Sequence, residues 1–184
     1  MRHISFLIVV SLFLSVLLSA GCTDISNSDR YNDYNLTLSY DGNEKNLTLS
    51  DLENLPSFAG NGYLISTVGI RYGPLMGRGV PLTEVVKIMN GINESSRLYF
   101  YGSDGYLWVL DYDQIHGKEF ITFDENLTEL KDQNITPVLM YEQDGKQITE
   151  EDGGPVRLAL LTEKNGIITE GSGWVKWISR IELH

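Results

Sequence analysis

Apolar positions in this chain form one long block followed by many short runs. Residues 4–18 are almost wholly apolar. Beyond residue 34 the apolar runs are short, and glycine, asparagine and aspartate separate them. Short alternating runs predict strands, and the glycine-bearing polar gaps predict turns.

Residues 36–40 alternate as a strand, Asp41-Gly42-Asn43 turns the chain, and residues 47–49 return. Ser50 with Glu53 three residues on has capping-box spacing, so a short helix burying Leu52 and Leu55 is expected, ending at Pro56. Residues 63–68 predict a strand, and residues 69–78 lack periodicity and predict an irregular stretch. Leu82, Val85, Val86 and Met89 follow the helical i, i+3, i+4, i+7 pattern, and Gly91 supplies the stop. Residues 98–101 and 106–110 predict an antiparallel pair across a turn at 102–105. A helical turn at 111–115 and a short strand at 120–123 follow. Residues 134–140 predict a strand with Pro137 near its entry, then a turn at 143–146. Gly153-Gly154-Pro155 opens a strand over 156–161, and a last apolar segment runs from 174–178 into 180–183. As a strand, 174–178 would put Trp174 and Lys176 on one face and Val175 and Trp177 on the other. The pattern predicts one compact α+β domain over residues 35–184, β-rich, with mixed or antiparallel sheets and short helices.

The first apolar block is short for a membrane span of about 20 residues. It ends in Leu18-Ser19-Ala20-Gly21-Cys22, which has the pattern of a lipoprotein signal. On that reading residues 1–21 are removed, Cys22 carries lipid, and residues 22–34 link lipid to domain. The protein then sits on the cell membrane, facing outside the cytoplasm. A plain transmembrane anchor is the alternative. Cys22 is the only cysteine, so no internal disulfide is available and packing must supply stability.

Without residues 1–21, thirteen basic residues stand against 25 acidic ones, a formal charge of −12. Such a surface repels nucleic acid. Asn35, Asn46, Asn93, Asn126 and Asn134 head Asn-x-Ser/Thr sequons, candidate glycan sites if they lie at the surface. Arg71 and Arg78 stand among glycines in this acidic chain, as an anion site or as partners of surface carboxylates. Asp111, Asp113 and His116 have poor metal-ligand spacing and read as a solvated acidic turn, as do Glu150-Glu151-Asp152. Ser66-Thr67 and Ser103-Asp104 lack a matching histidine base, so no hydrolytic triad is expected.

Asp144-Gly145, Gly153-Gly154-Pro155-Val156-Arg157-Leu158 and Val175-Lys176-Trp177-Ile178 with Ile181-Glu182-Leu183 occur in order. Before them come residues 52–56, Gly79-Val80-Pro81-Leu82 and Ser103-Asp104-Gly105-Tyr106. This ordered set resembles the molybdopterin-binding domain of sulfite-oxidase-like oxidoreductases, over roughly residues 36–183. The resemblance implies that family's α+β fold, and molybdopterin as the cofactor, with molybdenum held by a pterin dithiolene and a protein cysteine. The family's cysteine position falls near Thr67, beside Ser66 and Val68. A hydroxyl is a poor soft-metal ligand, so no resident metal centre is expected. The basic residue that the family carries three positions before its lysine is Gly173 here. Arg157 matches the family arginine, as a salt bridge to the acidic loop or as a ligand contact. Lys176 can reach an anion or lie over Trp174.

The candidate pocket is therefore Ser66, Thr67, Arg71, Arg78, Arg157 and Lys176, with no catalytic residue assigned. The leading expectation is a lipid-anchored binding or interaction module for a small anion or a redox protein partner. An oxidoreductase with non-cysteine metal ligation and a ligand-free envelope protein are the alternatives.

Overall fold

The computed structural model describes residues 33–184. The apolar block and Cys22 lie outside the described residues, so the lipoprotein reading falls there too. Strands are numbered in chain order. One sheet holds β1 (Asn35–Tyr40), β2 (Asn43–Thr48), β5 (Arg97–Gly102), β6 (Leu107–Asp111) and β13 (Ile178–Leu183), in the order β2-β1-β13-β5-β6. Within it β1 runs parallel to β13, which is antiparallel to β5. The other sheet holds β3 (Phe58–Ile65), β4 (Arg71–Pro81), β7 (Thr122–Phe123), β8 (Glu129–Leu130), β9 (Thr136–Gln143), β10 (Lys146–Gln147), β11 (Arg157–Leu161) and β12 (Ile168–Glu170). Its order is β10-β9-β4-β3-β12-β7-β8, with β11 also beside β9, and β12 parallel to β3. The described helices are α1 (Leu49–Glu53), α2 (Leu82–Ile88) and α3 (Tyr112–Ile115). This is a β-rich α+β fold with mixed sheets and short helices, as the sequence pattern predicts.

Burial explains which strands read as continuous apolar runs. In β1 only Leu36 and Leu38 are fully buried, so the strand alternates. The second sheet is covered on both faces. Leu139, Tyr141 and Leu158 pack with Phe100 and Ile181 of the first sheet. Val138, Met140 and Leu160 face the other way, into a cluster with Ile148 and Trp174. Strands buried on both sides lose their polar alternation. Each buried leucine contributes about 1.5–3 kcal/mol.

The capping box lies two residues earlier than expected. Thr48 Oγ1 accepts from Asp51 N at 3.1 Å, and Asp51 Oδ2 accepts from Thr48 N at 2.8 Å. The chain carries two overlapping box patterns, and β2 ends extended at Thr48, which selects that residue as cap. Ser50 lies inside α1. The Thr48 hydroxyl, which donates to Asp51 Oδ2 at 2.7 Å, and then the Thr48 N–H hold the Asp51 carboxyl below its usual value. In α2 the expected stop holds: Gly91, at φ +86°, donates its N–H to Val86 O at 2.8 Å.

Larger differences occur at two places. Residues 58–81 form a long hairpin, β3 against β4, where a strand at 63–68 and an irregular stretch at 69–78 were expected. Glycines at 60, 62, 77 and 79 break the hydrophobic period there, and they do so for packing. A Cβ on Gly79 would overlap Leu139 O and lie 2.6 Å from Met140 Cα, at a register shift between β4 and β9. Residues 174–177 are not a strand either: a 3-10 turn at Gly171–Gly173 precedes them, Trp177 has φ +50°, and β13 starts at Ile178. At the other end Tyr34, placed in the linker by its sequence, packs against the core and donates to Ile178 O at 2.8 Å.

Gly79→Ala is expected to destabilise the protein by roughly 2 kcal/mol or more, because backbone must move. Gly42→Ala meets no atom within 4 Å, so positive φ alone should cost it about 1–2 kcal/mol. Urea midpoints of the two variants check that order.

Candidate functional site

The Gly153-Gly154-Pro155 turn delivers Arg157 as the first residue of β11, whose five residues are all buried. Arg157 is only 7 % exposed. Its Nη1 donates to Asp152 O at 2.8 Å, and its Cζ lies 5.2 Å from the centre of the Trp174 ring. Its buried Nε has no hydrogen-bond partner. Desolvation lowers the guanidinium pKa from its usual value to about 10, offset in part by the Asp152 charge. No carboxylate pairs with it among the described residues, so the expected salt bridge is replaced by a bond to a backbone carbonyl. A buried charge without a direct ion pair is costly, and an orphaned donor adds to that cost.

Arg157 forms part of the wall of a cavity of about 810 Å³. Lys176 reaches the same space. Its stem packs on Gly153, where a Cβ would lie 2.7 Å from Lys176 Cβ. Its Nζ lies 5.4 Å from the centre of the Trp177 ring, rather than over Trp174. Trp177 is fixed at its positive φ by N–H donation to Gly153 O at 2.8 Å and Nε1 donation to Glu150 O at 2.7 Å. Trp174 donates its Nε1 to Thr169 Oγ1 at 2.9 Å. Trp174, Lys176 and Trp177 therefore border one cavity instead of dividing between two strand faces.

Other loops complete the mouth. The 66–70 turn brings Ser66 and Thr67, with Ser66 Oγ accepting from Ile70 N at 3.0 Å. Tyr72 of β4 and Tyr106, before β6, add exposed rings. Tyr106 donates its hydroxyl to Ser172 O at 3.0 Å, and burial with Asp104 nearby pushes its phenol pKa up. The β9–β10 turn places Asp144 there, and Asp144 is pinned to Met76 by reciprocal bonds of 2.8 and 2.7 Å.

Of the expected pocket residues, Ser66, Thr67, Arg157 and Lys176 border the cavity. Arg71 and Arg78 do not: Arg71 Nη1 donates to Glu125 O at 3.0 Å and Arg78 Nε to Ser57 Oγ at 3.2 Å. Tyr106 and Asp144 belong to the ordered motifs of the resemblance, which give them no pocket role, and Tyr72 of β4 carries no such signal; the fold brings the three to one cavity. Gly173 lies between Leu160 and Trp108; a Cβ there would be 3.1 Å from Leu160 Cδ1. Asp111 caps α3 through Gln114 N at 2.9 Å, and Asp113 pairs with Lys118 at 3.5 Å, so this acidic turn serves local structure. Asn35, Asn46, Asn93, Asn126 and Asn134 are all exposed. Among the described residues no group of three or more His, Cys, Asp or Glu side chains could hold a metal ion.

No curated protein matches this chain. Among solved structures it is similar to the sulfane dehydrogenase SoxCD from Paracoccus pantotrophus, with a TM-score of 0.61 and 18% identity. That match covers 84% of this chain but 39% of the other, so the two share a fold over part of a longer protein. The family model described as "Oxidoreductase molybdopterin binding domain" matches residues 75–184, from the middle of β4 through β13. Cavity-lining Arg157 and Lys176 both lie within that match, and the chain belongs to the oxidoreductase molybdopterin-binding domain family.

Proposed function

We propose that this chain is a lipid-anchored, extracytoplasmic binding module whose cavity holds a small anionic ligand against Arg157. The observation that carries this reading is the guanidinium itself. It is buried, its Nε is orphaned, and no carboxylate pairs with it among the described residues. An anion in the cavity would add a counter-charge beside the guanidinium. An open cavity of about 810 Å³ also weighs against a ligand-free structural protein.

The family implies a pterin-bound molybdenum with a protein thiolate, and the residues present do not fit that metal centre. Thr67, near the expected thiolate position, offers a hydroxyl, which is hard and normally protonated. The only cysteine is Cys22, in the position for acylation. Gly173 replaces the family's basic residue, and Leu160 and Trp108 enclose it. A second reading, an oxidoreductase with Thr67 or a solvent ligand in place of sulfur, draws on Thr67's position at the cavity wall. The lipid anchor draws on the Leu18-Ser19-Ala20-Gly21-Cys22 ending alone.

Benzoate, a planar monocarboxylate, is expected to bind the detergent-purified protein in calorimetric titration. Arg157→Gln should weaken it about 10- to 100-fold, as loss of charge-assisted hydrogen bonds would. Equal affinity in the variant would remove the basis for the proposal. The pH dependence has a fixed sign. Arg157's folded-state value, about 10, lies below its unfolded one, so its charge opposes folding below pH 10 and is available to an anion there. Benzoate affinity should therefore fall as pH rises through about 10. The protein purified from its membrane should carry a lipid mass on Cys22 that Cys22→Ser abolishes; an unmodified Cys22 would contradict the anchor.

A further inference from the structure

The cavity that Arg157 borders also carries carboxylates at its mouth. Three carboxylates, Asp104, Asp144 and Asp152, border it against two cations, Arg157 and Lys176. Asp152 is engaged: its carbonyl accepts from Arg157, and its Oδ2 accepts from Thr149 Oγ1 at 2.7 Å. Asp104 and Asp144 differ from it. Each uses Oδ1 to accept a backbone N–H, from Tyr106 at 3.0 Å and from Met76 at 2.8 Å. Each keeps its second oxygen without a hydrogen bond, and neither pairs with a cation, among the described residues. Their backbone bonds hold them in place before any ligand arrives. Beside them stand two tyrosine rings that water reaches, Tyr72 at 52 % and Tyr106 at 41 % exposure. Carboxylates with a free oxygen next to open aromatic faces attract an organic cation.

Burial orders these groups along the cavity. Arg157 is buried and Lys176 half-buried, whereas Asp104 and Asp144 are exposed, so both cations stand deeper than these two carboxylates. A simple monoanion would leave the mouth carboxylates unused.

Resting on the anion reading of the same cavity, we infer that the ligand is a small organic zwitterion. Its carboxylate is seated on Arg157, and its ammonium is held by Asp104, Asp144 and the rings of Tyr72 and Tyr106. The chemical class is that of free amino acids and betaines.

Glycine betaine and 3,3-dimethylbutanoate test this directly, because they share shape and carboxylate and differ only in trimethylammonium against tert-butyl. In calorimetric titration of the detergent-purified protein, glycine betaine should bind about tenfold tighter, the size of a partly desolvated cation–π and carboxylate contact. The Asp104→Asn, Asp144→Asn double variant keeps the Oδ1 acceptors, and its urea midpoint verifies that it folds. It should bring the ratio to about one, mainly through loss of betaine affinity. Equal binding of both probes to the wild type would overturn the zwitterion while leaving the anion reading intact. Binding of benzoate with no binding of either probe would overturn the zwitterion in the same way. Failure of all three carboxylates to bind would overturn both readings.

Discussion

A short run of backbone pairing outside either sheet's regular ladder joins the two sheets. Leu158 N donates to Val175 O at 2.8 Å, Ile178 N to Val156 O at 3.1 Å and Trp177 N to Gly153 O at 2.8 Å. This run fixes the entry to β13, which then seats between β1 and β5. It also brings Arg157 and Lys176 to one cavity although they start on different segments. Gly153 is the residue that permits it, since a side chain there would occupy the space of the Lys176 stem. The same pairing thus closes the core and positions the cationic groups.

Where local chemistry decided structure, the sequence was readable. The spacing of Leu82, Val85, Val86 and Met89 gave α2, and Asp144-Gly145 gave a tight hairpin with both residues at positive φ. Where long-range packing decided it, the sequence was misleading. The β3–β4 hairpin has glycines where alternation would show a strand, because neighbouring backbone and side chains fill the space a Cβ would take. Residues 174–177 have strand composition, yet hydrogen bonds to residues around the Gly153 turn bend Trp177 into positive φ.

Site residues divided in the same way. Arg157 and Lys176 belong to ordered motifs and were legible. Tyr106 and Asp144 belong to those motifs too, but as turn residues with nothing to mark them for a cavity, and Tyr72 meets them only in space. Arg71 and Arg78 stood out for charge, but local oxygen acceptors explain both. Family membership supplies the fold, while function depends on the side chains in the cavity. There a buried arginine keeps an Nε without a hydrogen-bond partner, and no carboxylate forms an ion pair with it among the described residues.

Molybdenum content of the protein purified from its native membrane, measured together with releasable pterin, tests the central claim most directly. A binding module that uses Arg157 for an anion should carry molybdenum far below one atom per chain and no stoichiometric pterin. One molybdenum and one pterin per chain would contradict it and would establish a metal site built without a protein thiolate.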